Sequence, residues 1–298
     1  MNQPQPPQSE VREVTFYSQG RALSGVYRLP AGASSSAPGI VLCAGMSLTK
    51  EVWLPAHAER FNEAGYATLN FDYTGFGASE GSPRRRLDPA QQVRDTQAAL
   101  TWMQSQPEID GARLALYGVS LGASVATATA GIDERPKAMV AVAGPMDLRR
   151  VWSAFPTFAG FEAKVLAAHE RFVATGEVTY ISVPRLLSGD PATAELLRAE
   201  APKYPTWDQT VTFESLHDLF AFRPESHCPT ISPTAAMWIA PEKDDLIARF
   251  ELGSAHAAAR HPKAFVVLEG AEHVDVYRVE GAFETVMAKT LGWFAEHV

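Results

Sequence analysis

The chain is poor in cysteine, in positive charge and in long apolar runs. Its 298 residues include two cysteines, Cys43 and Cys228, too few for a disulfide framework and typical of a reducing cytoplasm. Lysine and arginine total 26 against 34 acidic residues, so attraction to nucleic acid is not expected. No apolar run reaches about 18 residues, and the start lacks a secretion signal. These features predict a cytoplasmic protein without nucleic-acid or membrane partners.

The composition is that of a globular protein, with 46% hydrophobic and 20% charged residues. The polar, proline-rich residues 1–10 are predicted to be disordered. At this length we expect one main domain, residues 11–147 and 229–298, interrupted by an insertion over residues 148–228. No pattern defines the oligomeric state, so a homo-oligomer stays open.

The main domain is predicted to be α/β. An opening hairpin is followed by apolar strands that alternate with helices, a pattern typical of a mostly parallel sheet with helices on both faces. The predicted strands are Val14–Tyr17, Ala22–Leu29, Gly39–Ala44, Ala67–Tyr73, Arg113–Val119, Ala138–Ala143, Ala235–Ala240 and Ala264–Leu268.

The insertion breaks this rhythm and predicts a helical cap above the strand ends. It contains helical stretches such as Phe161–Val173 and many aromatic residues. Five of these aromatics are interpreted as holding the cap together, with a pocket lining as the alternative: Trp152, Phe155, Phe158, Phe161 and Tyr180.

Ser120 is the candidate nucleophile. It lies in the G-x-S-x-G segment from Gly118 to Gly122, between a buried strand and an alanine-rich helix. A sharp strand-to-helix turn exposes the serine Oγ and presents backbone N–H groups to developing negative charge. Glycine at both flanking positions leaves room for that turn.

A serine hydroxyl needs a base, and His273 is placed best of the eight histidines. It follows a strand and the turn Gly270-Ala271-Glu272, at an end of the sheet where catalytic side chains are expected. Other histidines fall in predicted helices, where a solvent-facing side chain is the ordinary explanation; these include His57 and His169.

A carboxylate must orient the base, and Asp244 is the first candidate because it directly follows a strand. Asp245 and Asp147 remain alternatives, and Asp245 is otherwise expected to cap a helix. The chain order Ser120, Asp244, His273 differs from the chymotrypsin and subtilisin orders.

With these residues, the chain resembles the α/β-hydrolase superfamily, and within it the dienelactone-hydrolase-like and X-Pro-dipeptidyl-peptidase/cocaine-esterase-like enzymes. The segment Phe71–Gly81 is similar to the family's D-x-R-G-x-G-x-S turn, with Thr74 where arginine is usual. The resemblance implies an α/β-hydrolase fold and an oxyanion hole made by the backbone N–H groups of Leu121 and Met46.

The resemblance and the residues together predict a serine hydrolase that cleaves a carboxylic ester of a small molecule, with no metal and no cofactor. Thioesters and small amides are further substrates to consider. One alternative is hydrolysis of a C–C bond in a diketone by the same residues, and another is a non-catalytic binding protein of the same fold.

Three other patterns are given less weight. The glycines at 75, 77 and 81 lack the helix and acidic partner of a dinucleotide site. The run Arg84-Arg85-Arg86 is interpreted as a solvated loop, with binding of a substrate carboxylate as the alternative. His227 beside Cys228 lacks the partners of a zinc site.

Overall fold

The computed structural model describes residues 9–33, 36–278 and 281–298. Residues 1–8 of the predicted disordered start lie outside the described residues. The strands are, in chain order, β1 (Glu10–Ser18), β2 (Arg21–Leu29), β3 (Ala37–Cys43), β4 (Ala67–Phe71), β5 (Ile109–Val119), β6 (Pro136–Val142), β7 (Tyr180–Ser182), β8 (Thr210–Thr212), β9 (Ala235–Pro241) and β10 (Lys263–Leu268).

Eight of these strands form one sheet in the order β1-β2-β4-β3-β5-β6-β9-β10. The β1–β2 hairpin and the β2–β4 pair are antiparallel, and the remaining neighbours are parallel. All residues of β3, β4 and β9 are buried, which explains why these strands are apolar on both faces. The predicted α/β sheet and its opening hairpin are therefore confirmed.

The α-helices are α1 (Leu54–Glu63), α2 (Pro89–Gln104), α3 (Leu121–Ala130), α4 (Leu148–Ser153), α5 (Phe158–Thr175), α6 (Val183–Leu186), α7 (Pro191–Glu200), α8 (Leu216–Ala221), α9 (Phe250–Ala258) and α10 (Phe283–His297). Helix α1 contacts α10, α2 contacts α3, and the 3-10 helix Pro224–Thr230 joins α3 to α9. Among the described residues, no helix combines the length and apolar character needed to cross a membrane.

The turn after β4 holds the buried Asp72 without the arginine of the related motif. Its carboxylate accepts from the Lys50 backbone N–H at 2.7 Å and the Ala78 N–H at 2.9 Å, and it pairs with Lys50 Nζ at 3.2 Å. A Cβ on Gly77 would lie 2.2 Å from the Asp72 carboxylate, so this position requires glycine. Thr74, in the arginine position, bonds to Asp95 instead.

The segment between β6 and β9 contains α4 to α8 and the antiparallel pair β7–β8, a small sheet that the sequence did not predict. The interpretation of residues 84–86 as a solvated loop is wrong for Arg85 and Arg86, which bind this segment, whereas Arg84 is exposed and donates to the Ser79 and Gly77 carbonyls. Arg85 donates to Asp208, and Arg86 contacts Asp218 at 2.6 Å. The Leu87 N–H also donates to Ser215 Oγ at 3.1 Å. Short-range hydrogen bonds and ion pairs thus join the main domain to the insertion.

Candidate active site

Ser120 occupies a strained turn between β5 and α3. Its backbone has φ 55° and ψ −125°, in a region that residues other than glycine rarely adopt. A Cβ on Gly122 would lie 2.0 Å from the Cys43 carbonyl oxygen, and one on Gly118 would lie 2.2 Å from the Gly122 oxygen. Both glycines therefore allow the close packing that holds the turn, as the sequence analysis argued.

Asp244 and His273 are joined by a buried hydrogen bond. Nδ1 of His273 lies 2.7 Å from Oδ2 of Asp244. The other oxygen of Asp244 accepts from the N–H groups of Leu246 at 3.0 Å and Ile247 at 2.7 Å. An ionised carboxylate only accepts, so Nδ1 carries the proton and Nε2 is left as the basic nitrogen.

The pKa of His273 reflects two opposing effects. Burial disfavours the imidazolium and alone would lower the pKa, but the charge and hydrogen bond of Asp244 raise it above the ordinary histidine value. The carboxylate therefore stabilises the protonated form of this imidazole.

Backbone contacts fix the two loops that carry this pair. The Lys243 N–H donates to the Ala271 carbonyl at 2.8 Å, and the Gly270 N–H donates to Glu242 Oε2 at 2.9 Å. His273 begins a 3-10 turn whose first residues are held by reciprocal bonds between Glu272 and Asp275. The loops after β9 and β10 thus hold each other in register.

Neither alternative carboxylate contacts His273 in the described part of the chain. Asp147 caps α4 by accepting from the Arg150 N–H at 3.0 Å, and it faces Arg223 Nε at 3.4 Å. Asp245 is exposed. The expectation that Asp245 caps a helix is wrong, because α9 begins only at Phe250 and Asp244 itself binds the neighbouring amides.

Met46 and Leu121 line the same cavity as Ser120. Within the described residues, neither backbone N–H has a hydrogen-bond acceptor. The loop that carries Met46 packs on the start of α3, since Gly122 contacts the Cys43 carbonyl. Two unengaged N–H groups thus border the cavity that contains Ser120, an arrangement suited to an oxyanion.

Tyr277 is a site residue that the sequence analysis missed. Its ring centre lies 6.1 Å from that of His273. Its hydroxyl lies near Ser120, because a Cβ built on Gly45 would be 2.8 Å from the hydroxyl oxygen and 3.5 Å from Ser120 Cβ. Burial raises the pKa of Tyr277, which keeps the phenol protonated. Tyr277 thus lies near both His273 and Ser120, and its position one helical turn after His273 was the available signal.

The cavity has a volume of about 640 Å³, within the range of small-molecule sites. All five aromatics that the sequence assigned first to cap packing line it, so the alternative of a pocket lining is confirmed; they are Trp152, Phe155, Phe158, Phe161 and Tyr180. Cap packing is confirmed as well for four of them, because Trp152, Phe155, Phe158 and Phe161 also pack on one another or on Phe220. Two cations that no motif indicated, Lys164 and Arg185, also line it.

The clearest group of metal-ligand types in the described residues lies in the insertion. Potential ligand atoms of His169, His217 and Asp218 fall within 4.8 Å of one another. The centres of the two imidazole rings are 4.0 Å apart and the rings are stacked, so their nitrogen lone pairs lie in nearly parallel planes and do not converge on one point. Asp218 is already bound by Arg86, so a cation here would compete with a guanidinium.

His57 differs from its predicted solvent-facing role. It is completely buried against the rings of Tyr117 and Phe283, with centres 5.5 and 4.8 Å away. Burial lowers the pKa of His57 to about 4. This histidine is therefore a neutral part of the core.

Comparisons with known proteins identify the family of this fold. A family profile described as "Alpha/beta hydrolase family" matches residues 40–284. An Escherichia coli protein described as "Uncharacterized 31.7 kDa protein in traX-finO intergenic region" is 31% identical over 299 residues, 96% of this chain and 100% of that protein. Acyltransferase drtE of Aspergillus calidoustus is 27% identical over 88% of each chain. The crystal structure of alpha/beta hydrolase GrgF from Penicillium sp. sh18 is similar with a TM-score of 0.81 at 25% identity, covering 97% of this chain and 99% of that one.

Proposed function

We propose that this chain, which belongs to the alpha/beta hydrolase family, is a serine hydrolase that cleaves a carboxylic ester or related acyl compound of a small molecule. Family membership and the similarity to an acyltransferase support hydrolase-type chemistry. The finer resemblance to dienelactone-hydrolase-like and X-Pro-dipeptidyl-peptidase-like enzymes stays a prediction.

One observation carries the proposal: the buried Asp244–His273 hydrogen bond, in a chain whose Ser120 has the strained backbone of a strand-to-helix turn. Such a pair leaves Nε2 of His273 free to take the Ser120 proton as Oγ attacks a carbonyl carbon. The N–H groups of Met46 and Leu121 would then bind the oxyanion.

The proposed reaction has two steps, acylation of Ser120 and hydrolysis of the acyl-enzyme. In the first, His273 returns the proton to the departing alkoxide, the C–O bond breaks, and an alcohol leaves the acyl-Ser120 ester. In the second, His273 takes a proton from water, the hydroxide adds to the acyl carbon, and collapse releases the acid and regenerates Ser120. No step requires a metal or cofactor.

Covalent labelling tests the nucleophile. We expect a fluorophosphonate probe to label the wild-type protein and Ser105→Ala, an exposed control at the end of α2, but not Ser120→Ala. In parallel, Ser120→Ala should lose turnover of a panel of p-nitrophenyl esters of graded acyl length, and Ser105→Ala should keep it. Labelling of Ser120→Ala at the wild-type rate would contradict the proposal.

Product analysis separates the chemical alternatives. Release of an acid and an alcohol from an ester supports the proposal, whereas an acid and a ketone from a diketone would support C–C hydrolysis. Absence of both labelling and turnover would favour the non-catalytic binding protein.

A further inference from the structure

The charge of the cavity differs from that of the whole protein. Acidic residues outnumber lysine and arginine by 34 to 26 in the chain. Yet Lys164 and Arg185 are the charged residues among those that line the cavity, and within the described residues no aspartate or glutamate lines it. The lining therefore carries positive charge in an acidic protein.

These two cations have no acidic partner among the described residues. Other arginines in and around the insertion do: Arg149 pairs with Glu162, Arg150 with Glu225, and Arg171 with Glu177. Lys164 and Arg185 are thus available to a ligand, whereas the neighbouring arginines are engaged in holding the fold.

Their exposure places them at the solvent side of the cavity. Both side chains are exposed, whereas Ser120 is partly buried. Aromatic side chains line the cavity as well; among them, Phe161 lies one helical turn before Lys164 on α5. The cavity therefore combines a reactive serine, an apolar wall and a cationic rim.

We propose that the cavity selects acyl compounds in which an apolar segment separates the scissile carbonyl from an anionic group, a carboxylate or a phosphate. The carbonyl lies at Ser120, the apolar segment lies along the aromatic wall, and the anion binds Lys164 and Arg185. This inference rests on the proposed function, since it names the substrate class of the same site.

Physical magnitudes set the expected size of the preference. Exposed ion pairs contribute about 0.2–1 kcal/mol each, so that two cations give a preference of about 2- to 30-fold. Because exposed charges are screened, the preference falls with salt.

The test compares two esters that differ in one charge, mono-p-nitrophenyl suberate and its neutral methyl ester. We expect a higher kcat/KM for the anionic ester, and a smaller ratio as NaCl rises from about 0.02 M to about 0.5 M. Within one preparation the ratio is independent of the active fraction of enzyme. The inference would be overturned if kcat/KM were equal for the anionic and the neutral suberate ester and also equal for the two thioesters that differ in a phosphate, described below.

Neutralising variants assign the preference to the rim. Lys164→Gln/Arg185→Gln should reduce the anionic-to-neutral ratio to near 1. Lys289→Gln, which removes an exposed charge on α10, should keep the wild-type ratio. A double variant with the wild-type ratio would show that other groups bind the anion, and the inference would be wrong.

A second substrate pair identifies the source of the anion. A thioester of octanoate with phosphopantetheine carries the phosphate on the leaving group, whereas the pantetheine thioester of the same acid lacks only that phosphate and is neutral. A charge preference in this pair alone places the anion on the leaving group; one in the suberate pair alone places it on the acyl chain.

Binding separates this inference from the proposed function. Calorimetric titration of Ser120→Ala with suberate and with phosphopantetheine measures anion binding without turnover. If the anions bind in a way that depends on Lys164 and Arg185 while the wild-type protein hydrolyses no ester, the hydrolase proposal is rejected and the anion site is kept. Turnover of neutral esters without charge preference would do the reverse.

Discussion

Asp244 holds His273 with one carboxylate oxygen and its own loop with the other. Oδ2 lies 2.7 Å from His273 Nδ1, while Oδ1 accepts from the N–H groups of Leu246 and Ile247. The carboxylate is therefore fixed by the backbone before it orients the imidazole. This arrangement distinguishes it from the adjacent Asp245, which is exposed.

Asp244→Asn is expected to lower kcat by about 1,000-fold or more with a small change in KM, because an amide no longer selects the tautomer with Nδ1 protonated. Steady-state ester hydrolysis measures the effect. Asp245→Asn is the matched control and should keep wild-type kinetics. The assignment would be reversed if Asp245→Asn were inactive and Asp244→Asn active.

The pH profile of hydrolysis should reflect the raised pKa of His273. The base acts only when it is neutral, so kcat/KM falls as the pH is lowered through this pKa, and we expect a midpoint above the ordinary value of 6.5. In Asp244→Asn the midpoint should move down, since burial then acts without the opposing charge. A wild-type midpoint below 6.5 would be inconsistent with the ion pair.

Tyr277→Phe is expected to reduce kcat by about 2- to 10-fold, the size of one neutral polar interaction. The hydroxyl lies near Ser120 and borders Gly45, so its removal takes a polar group away from the surroundings of Oγ. Tyr117→Phe is the control, because that buried hydroxyl has no hydrogen-bond partner among the described residues. Unchanged kcat in Tyr277→Phe would limit this residue to packing.

His57 should make stability depend on pH in a defined window. The folded protein keeps this imidazole neutral down to about 4, whereas the unfolded chain binds a proton near 6.5. Stability contributed by the neutral form is therefore present above 6.5 and is lost as the pH falls toward 4. The loss is on the order of 3 kcal/mol.

Urea unfolding at several pH values tests this assignment. His57→Phe should flatten the slope of the unfolding free energy over that window, while His261→Gln, which replaces an exposed histidine, should keep it. An unchanged slope in His57→Phe would show that another group is responsible.

The predicted strands and site residues depended on local patterns. Ser120 was readable because a buried strand, a G-x-S-x-G turn and a helix are consecutive in the chain. Asp244 and His273 each follow a strand of a parallel sheet, and such strands bring their carboxyl ends to one edge. Sequence order thus carried spatial information about this part of the molecule.

Other features depend on contacts between distant segments. Whether His57 faces solvent depends on Phe283, more than 200 residues away in the chain, and the pairing of β7 with β8 joins two three-residue strands. Arg86 gave no local sign of its partner Asp218. The cationic rim likewise forms only when α5 and α6 border the same cavity.

The ion pairs of Arg85 and Arg86 restrict how the inserted segment, which lines much of the cavity, can be replaced by that of a related protein. Residues 208–218 hold the carboxylates, but the matching arginines belong to the loop after β4. A chimera that received only a foreign 148–228 segment would leave both guanidinium groups without acceptors. A chimera designed to acquire the substrate preference of a relative should therefore exchange residues 84–87 together with the segment 148–228.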